Sequence, residues 1–184
     1  METFSDGVIA IAATLLILEL GIDHPSQLTH WQAYLAYVTS FVTIGIIWMN
    51  HHTVVGCMRG VDRVLLFLNL LLLLTIGFLP FPTRLVAENL NKPGEQAAVY
   101  AYAATFVVMA TIYNFAWRYA RSGRRLIKED VPDSQLRAID RAFNPGVPLY
   151  VTCLALAIFS PLASVLLTFA IAAFYLPSAA LFDR

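Results

Sequence analysis

The stretch Phe4-Ser5-Asp6-Gly7 runs without a break into Val8-Ile9-Ala10-Ile11-Ala12-Ala13-Thr14-Leu15-Leu16-Ile17-Leu18-Glu19-Leu20. It is apolar enough to enter a bilayer, yet it opens with a hydroxyl and a carboxylate and closes on Glu19. Wound at about 100° per residue, it carries Phe4, Val8, Ile11, Leu15, Leu18 and Ile22 on one stripe, with Thr14 on its flank. Ser5 and Asp6 fall on either side of the opposite face. One face is therefore a ladder of branched aliphatics with a single hydroxyl. The other holds a polar pair that must find partners inside the protein.

The rest of the chain is of the same kind. Of its 184 residues, 59% are hydrophobic and 13% are charged, where soluble domains are about half apolar and about a quarter charged. A soluble domain cannot hide that much apolar surface, so the composition points to a membrane protein. The formal net charge is zero, which argues against nucleic acid as a partner. Cys57 lies near a helix end and Cys153 inside an apolar run, a poor pairing for a disulfide. The first run has no basic leader and no small-residue cleavage site, so it reads as a retained helix rather than a signal peptide.

Six apolar runs are near the length that crosses about 30 Å of hydrocarbon: residues 4–20, 31–50, 64–85, 97–117, 147–160 and 162–181. The fifth is short, and Pro161 suggests a helical hairpin with a tight turn. Breakers separate the runs: residues 21–30 around Pro25, residues 56–63, the Asn91-Lys92-Pro93-Gly94 turn, and the polar segment 118–145. These spacings predict a single all-α transmembrane domain over residues 1–184, without internal repeat or soluble module. With both termini cytoplasmic, ten of the twelve Lys and Arg residues fall inside, and only Arg84 and Lys92 outside, a strong positive-inside bias. Segment 118–145 interleaves its charges. It reads either as a solvated loop that sets topology or as a short amphipathic helix. Trp31, Tyr34 and Tyr37 on one side, with Trp48, Trp117 and Tyr119 on the other, fit interfacial anchors.

Ionisable groups inside a membrane usually pair or face water. Asp6 lies at the same depth as the end of the second run, Trp48-Met49-Asn50-His51-His52. Ser5 and Asp6 can therefore meet Asn50, His51 or His52, with Asn69 and Asn114 as further candidates. A buried latch holding helix one is the structural reading, and a proton relay through the histidines is the sharper one. Adjacent histidines point about 100° apart and do not converge on one ion, so no metal site is expected. No nucleophile elbow, catalytic carboxylate pair or phosphate loop occurs, so the chain does not read as an enzyme. Glu19 and Asp23 mark the outer end of helix one. Repeated around a symmetry axis, they would form a negative mouth that concentrates cations.

Phe4-Ser5-Asp6 followed by an apolar helix with Ile11 and Thr14 resembles the prokaryotic relatives of the lysosomal potassium channel called transmembrane protein 175. Trp48-Met49-Asn50-His51-His52 is similar to that family's second helix. Asn69-Leu70-Leu71 leading to Leu79-Pro80-Phe81-Pro82 is similar to its third. The resemblance covers the first half of the chain by motif and the second half by helix count. It implies six transmembrane helices per subunit and a homotetramer in the cell membrane. Helix one would line a central pore that has no conventional selectivity-filter loop. By position, Ile11 matches the family's isoleucine constriction, Leu15 and Leu18 would be further rings, and Thr14 matches a threonine linked to selectivity. The family's arginine four residues ahead of the phenylalanine would fall before Met1.

The resemblance makes the expected function a passive potassium-permeable channel. Potassium would be its permeant ion and no cofactor would be required. Its partners would be lipid and further copies of itself. Stacked aliphatic collars can block ions by shedding water, and Gly7, Ala10, Ala12 and Ala13 would let helix one pack closely. The alternative is a proton-coupled transporter that uses Asp6 and His51 or His52.

Overall fold

The computed structural model describes residues 1–20 and 31–181, with side chains of the last helix through Leu176. The break at 21–30, with Asp23, His24, Pro25 and His30, lies outside the described residues, as does Arg184. The elements are α1 (Glu2–Leu15), continued by a 3-10 segment Leu16–Leu20, then α2 (Trp31–Gly56), α3 (Arg63–Phe78), α4 (Pro80–Asn89), α5 (Glu95–Arg121), α6 (Asp133–Phe143), α7 (Gly146–Leu156) and α8 (Pro161–Leu181). The six expected runs correspond to α1 with its 3-10 extension, α2, α3 with α4, α5, α7 and α8. Among the described residues, four stretches are long and apolar enough to cross a membrane: Glu2–Leu20, Trp31–Gly56, Arg63–Asn89 and Glu95–Arg124. The 11 residues of α7 reach only about 16 Å at 1.5 Å per residue.

The third span is broken because Pro80 has no N–H to continue the helix ladder. Leu79 donates instead to the Ile76 carbonyl at 3.1 Å, a tightened last turn. A chain of hydroxyls supports the break. Thr83 Oγ1 donates its single proton to the Leu79 carbonyl at 2.8 Å. Ser40 must therefore be the donor in its 2.8 Å contact with Thr83. That leaves the Tyr102 hydroxyl to donate to Ser40 at 3.0 Å. All three side chains are buried. A polar relay thus joins α5, α2 and α4 with every proton spent, which is what a low-dielectric interior requires.

Among the described residues, two large apolar clusters organise the bundle, beside a small one of Ile46 and Ala172 between α2 and α8. The larger, in the middle, gathers Ile9, Ala12 and Leu16 of the first span with Ile44, Ile76, Tyr102, Phe106 and Val165. The second large one sits at the end where α1 begins, and it corrects the solvated-loop reading of residues 118–145. Leu136 and Ile139 of α6 are buried there against Val54, Met58, Leu65, Trp117 and Ile127. The three-residue spacing of Leu136 and Ile139 puts both on one helix face, so α6 is the amphipathic alternative. Trp117 is corrected too. It is 2% exposed and donates to Asp140 of α6 at 2.8 Å, so it anchors α6 rather than facing an interface. The α2–α3 loop pairs with the segment after α5, with Arg59 N–H on the Leu126 carbonyl and Lys128 N–H on the Cys57 carbonyl.

One carboxylate gathers this end. Asp62 caps α3 by accepting the Leu65 N–H at 2.9 Å. It also accepts the Tyr119 hydroxyl at 2.6 Å and Arg125 at 2.5 Å. These donors, Tyr119 first, hold its carboxyl at about 2, below its ordinary 3.8. Arg121 pairs with Asp140 and Arg124 with Asp133. The interleaved charges of the sequence are thus matched across α5 and α6.

Candidate functional site

The site is α1 and what its two faces meet. Ser5, Ile9, Ala12 and Leu16 are buried. Their spacing of four, three and four keeps them on one helical line, and α1 packs against α2, α3 and α4. On the opposite side lie Phe4 at 62% exposure, Ile11 at 61%, Leu15 at 41% and Leu18 at 72%, with Thr14 exposed beside them. Val8 of the expected stripe is instead half-buried and packs on the central cluster. Ile22 lies outside the described residues. The 3-10 geometry of Leu16–Leu20 advances about three residues per turn, which stacks Leu18 almost directly over Leu15. Thr14 Oγ1 donates to the Ile11 carbonyl at 2.8 Å. Its proton is spent on the backbone, so its oxygen lone pairs face outward. Among the small residues, Ala12 is buried in the bundle while Gly7 and Ala10 are exposed.

The polar pair at the start of α1 is held by two separate sets of bonds. Asp6 accepts the Trp48 indole N–H at 3.0 Å and lies 3.5 Å from His52 Nε2. His52 Nδ1 is 2.9 Å from Glu2, and the Trp48 and His52 rings meet edge to face at 4.9 Å. Ser5 looks inward. Its hydroxyl donates to the Met1 carbonyl at 3.1 Å and accepts from Asn69 Nδ2 at 3.0 Å. Asn69 Oδ1 in turn meets His51 Nε2 at 2.9 Å. His51 and His52 diverge by about 100° on α2, so one serves Asn69 and the other serves Glu2 and Asp6.

Asn50 and Asn114 do not join this latch. Another 100° around α2, Asn50 lines a cavity shared with α5, α7 and α8, beside Tyr113 and Tyr150. Asn114 donates to the Phe143 carbonyl at 2.8 Å and accepts from Arg118 at 2.6 Å, fixing the α6–α7 corner. Glu19 lies 3.9 Å from Arg84 on α4, so a cation stands beside the expected negative mouth. Trp48 as the Asp6 donor and Glu2 as the His52 partner were missed by sequence reasoning. The spacing Trp48–His52, one turn of helix, was the available signal for the first.

The family model described as endosomal/lysosomal potassium channel TMEM175 matches residues 1–80. A potassium channel of Chamaesiphon minutus is 35% identical over 95% of this chain and 91% of that protein. The chain belongs to the TMEM175 family of ion channels. A potassium channel of Streptomyces collinus is 39% identical over 82% of this chain and 79% of its own length. The crystal structure of a lysosomal potassium-selective channel TMEM175 homolog from Chamaesiphon minutus superposes with a TM-score of 0.87 at 34% identity. It covers 97% of this chain and 95% of that one. Within this TMEM175 relative the likeness reaches past the opening motif, so α5 to α8 share the fold as well as α1 to α4.

Proposed function

We propose that this chain is one subunit of a potassium-permeable channel of the cell membrane, in which four copies surround a pore lined by α1. The observation that carries the reading is the two-sidedness of α1. Ser5, Ile9, Ala12 and Leu16 bind the helix to its own subunit, while Ile11, Leu15 and Leu18 are left uncovered. The potassium-channel names of the relatives that span nearly the whole chain support the same reading. Ile11, Leu15 and Leu18 from four copies then form stacked collars too apolar to hold water when closed. Opening widens the collars or turns them aside. Potassium is favoured over sodium because it sheds its hydration more cheaply, and the outward Thr14 oxygens replace part of that shell. Ser5, Asp6, Trp48, His51 and His52 fix the base of the pore helix, while Phe4 lies on its uncovered side. Both termini are cytoplasmic, with the basic residues of the α2–α3 and α5–α7 connections on that side.

Single-channel recording of the purified protein in planar bilayers tests this. The wild type should show unitary potassium currents, and Ile11→Asn should raise the unitary conductance severalfold by wetting the collar. An unchanged conductance in a folded Ile11→Asn protein places Ile11 against lipid and ends the reading. The proton-coupled carrier predicts saturating flux without unitary steps. Of its two histidine candidates, His51 is bonded to Asn69 away from Asp6, while His52 lies 3.5 Å from Asp6, so the form of the flux decides between the two readings.

A further inference from the structure

Among the described residues, two buried side-chain polar atoms have no hydrogen-bond partner, His51 Nδ1 and the Tyr113 hydroxyl. Both residues line one small cavity between α2, α3 and α5, which also touches Asn69. Its volume is about 30 Å³, room for one or two waters by the criterion of about 10–15 Å³ each. The rest of its wall is apolar, including Val54, Leu72 and Trp117.

Counting protons shows what the cavity needs. Of the two acceptors near the Ser5 hydroxyl, the Met1 carbonyl at 3.1 Å and Asn69 Oδ1 at 3.5 Å, the nearer takes its one proton, and its oxygen accepts from Asn69 Nδ2 at 3.0 Å. The carbonyl oxygen of Asn69 therefore faces His51, and His51 Nε2 must carry the hydrogen that bonds it. In the neutral ring this leaves Nδ1 as an acceptor without a donor. Tyr113 offers the opposite, a hydroxyl proton without an acceptor. A water molecule can donate to the first and accept from the second.

We infer that this cavity is a binding site for an ordered water that donates to His51 Nδ1 and accepts from the Tyr113 hydroxyl. The water extends the latch from Ser5 on α1, through Asn69 on α3 and His51 on α2, to Tyr113 on α5. Four helices are then joined by one directional chain of hydrogen bonds, and the tautomer of His51 is set by it. Tyr113 is a positioning residue that acts through the water and the imidazole. Where α1 is the pore helix proposed above, the chain links the base of the pore to the helix at the centre of the subunit.

The test is an X-ray structure of the whole channel at a resolution that shows ordered water, with 15N-histidine NMR of the same protein. Density within hydrogen-bonding distance of both His51 Nδ1 and the Tyr113 hydroxyl is expected. The His51 spectrum should show a protonated Nε2 and a hydrogen-bonded, unprotonated Nδ1. Tyr113→Phe should lose the water and move the Nδ1 resonance downfield, leaving the His52 resonances in place. A dry cavity, a water that touches only one of the two atoms, or a proton on Nδ1 overturns the assignment. So does an Nδ1 resonance that ignores Tyr113→Phe. None of these readouts depends on ion flux. A silent protein with the water in place would sink the channel reading alone, and a conducting one with a dry cavity would sink this inference alone.

Discussion

Ser5 is a small side chain that ties α1 to the bundle. It is fully buried and bonded on both sides, to Met1 and to Asn69. Ser5→Ala leaves the Asn69 amide without an acceptor, a loss of about 1–3 kcal/mol in soluble interiors. Within a bilayer the low end applies, because alternative partners exist there too. Asn69→Leu removes the group that needed satisfying and at the same time orphans His51 Nε2. The two substitutions share one chain of bonds, so their effects on thermal unfolding in detergent should fall short of additive when combined. Additive losses would mean that Ser5 and Asn69 act separately. The sequence indicated that Ser5 and Asp6 needed partners at the depth of residues 50–52. It left three candidates open on α2, because a helical wheel gives the angle between Asn50, His51 and His52 but not which angle faces α1.

At the scale of the elements, the end bearing α6 is where reading the sequence went least far. Alternating Arg and Asp along residues 118–145 fits a solvated strip as well as a paired one. Only the tertiary arrangement brings Arg121 to Asp140 and Arg124 to Asp133. The apolar runs were legible because length against bilayer thickness is a local property. The proline break at Leu79 went unread inside the single apolar run 64–85, and the hydroxyls that support it from α2 and α5 are not local to it. Asp62 offers a direct check on this end. Its folded carboxyl sits near 2, below the roughly 3.9 of an unfolded chain. Its contribution to stability is therefore complete above about pH 4 and is lost as the pH falls towards 2. Asp62→Asn should lower the unfolding midpoint equally at pH 5 and pH 8, and the gap to wild type should close below pH 4. A gap that instead changes between pH 5 and pH 8 would mean that another group sets the stability of this cap.

The whole molecule leaves much of its apolar surface uncovered, including Phe67, Leu74, Phe159 and Phe174 as well as the outer face of α1. Lipid accounts for such surface on any spanning helix, so exposure alone does not say which face meets the pore. Accessibility does. In a background with Cys57→Ala and Cys153→Ala, Leu18→Cys should react with a charged, water-soluble thiol reagent and lose most of its current. Phe67→Cys, on the exposed side of α3, should conduct as before. Current insensitive to reagent at position 18 would put Leu18 in hydrocarbon and remove the upper collar from the proposed pore.

The narrow winding of Leu16–Leu20 sets what such a collar can do. Its five residues are stretched by about 0.5 Å each relative to an α-helix and turned by about 20° more per step. Rewinding them would draw the tip of α1 back by about 2.5 Å and swing Leu18 by about 60° past Leu15. The anchored base, from Ser5 to Asp6, need not stir. The tip is itself held, with Leu16 buried and Glu19 beside Arg84 of α4, so such a rewinding would have to slide it along α2 and α4.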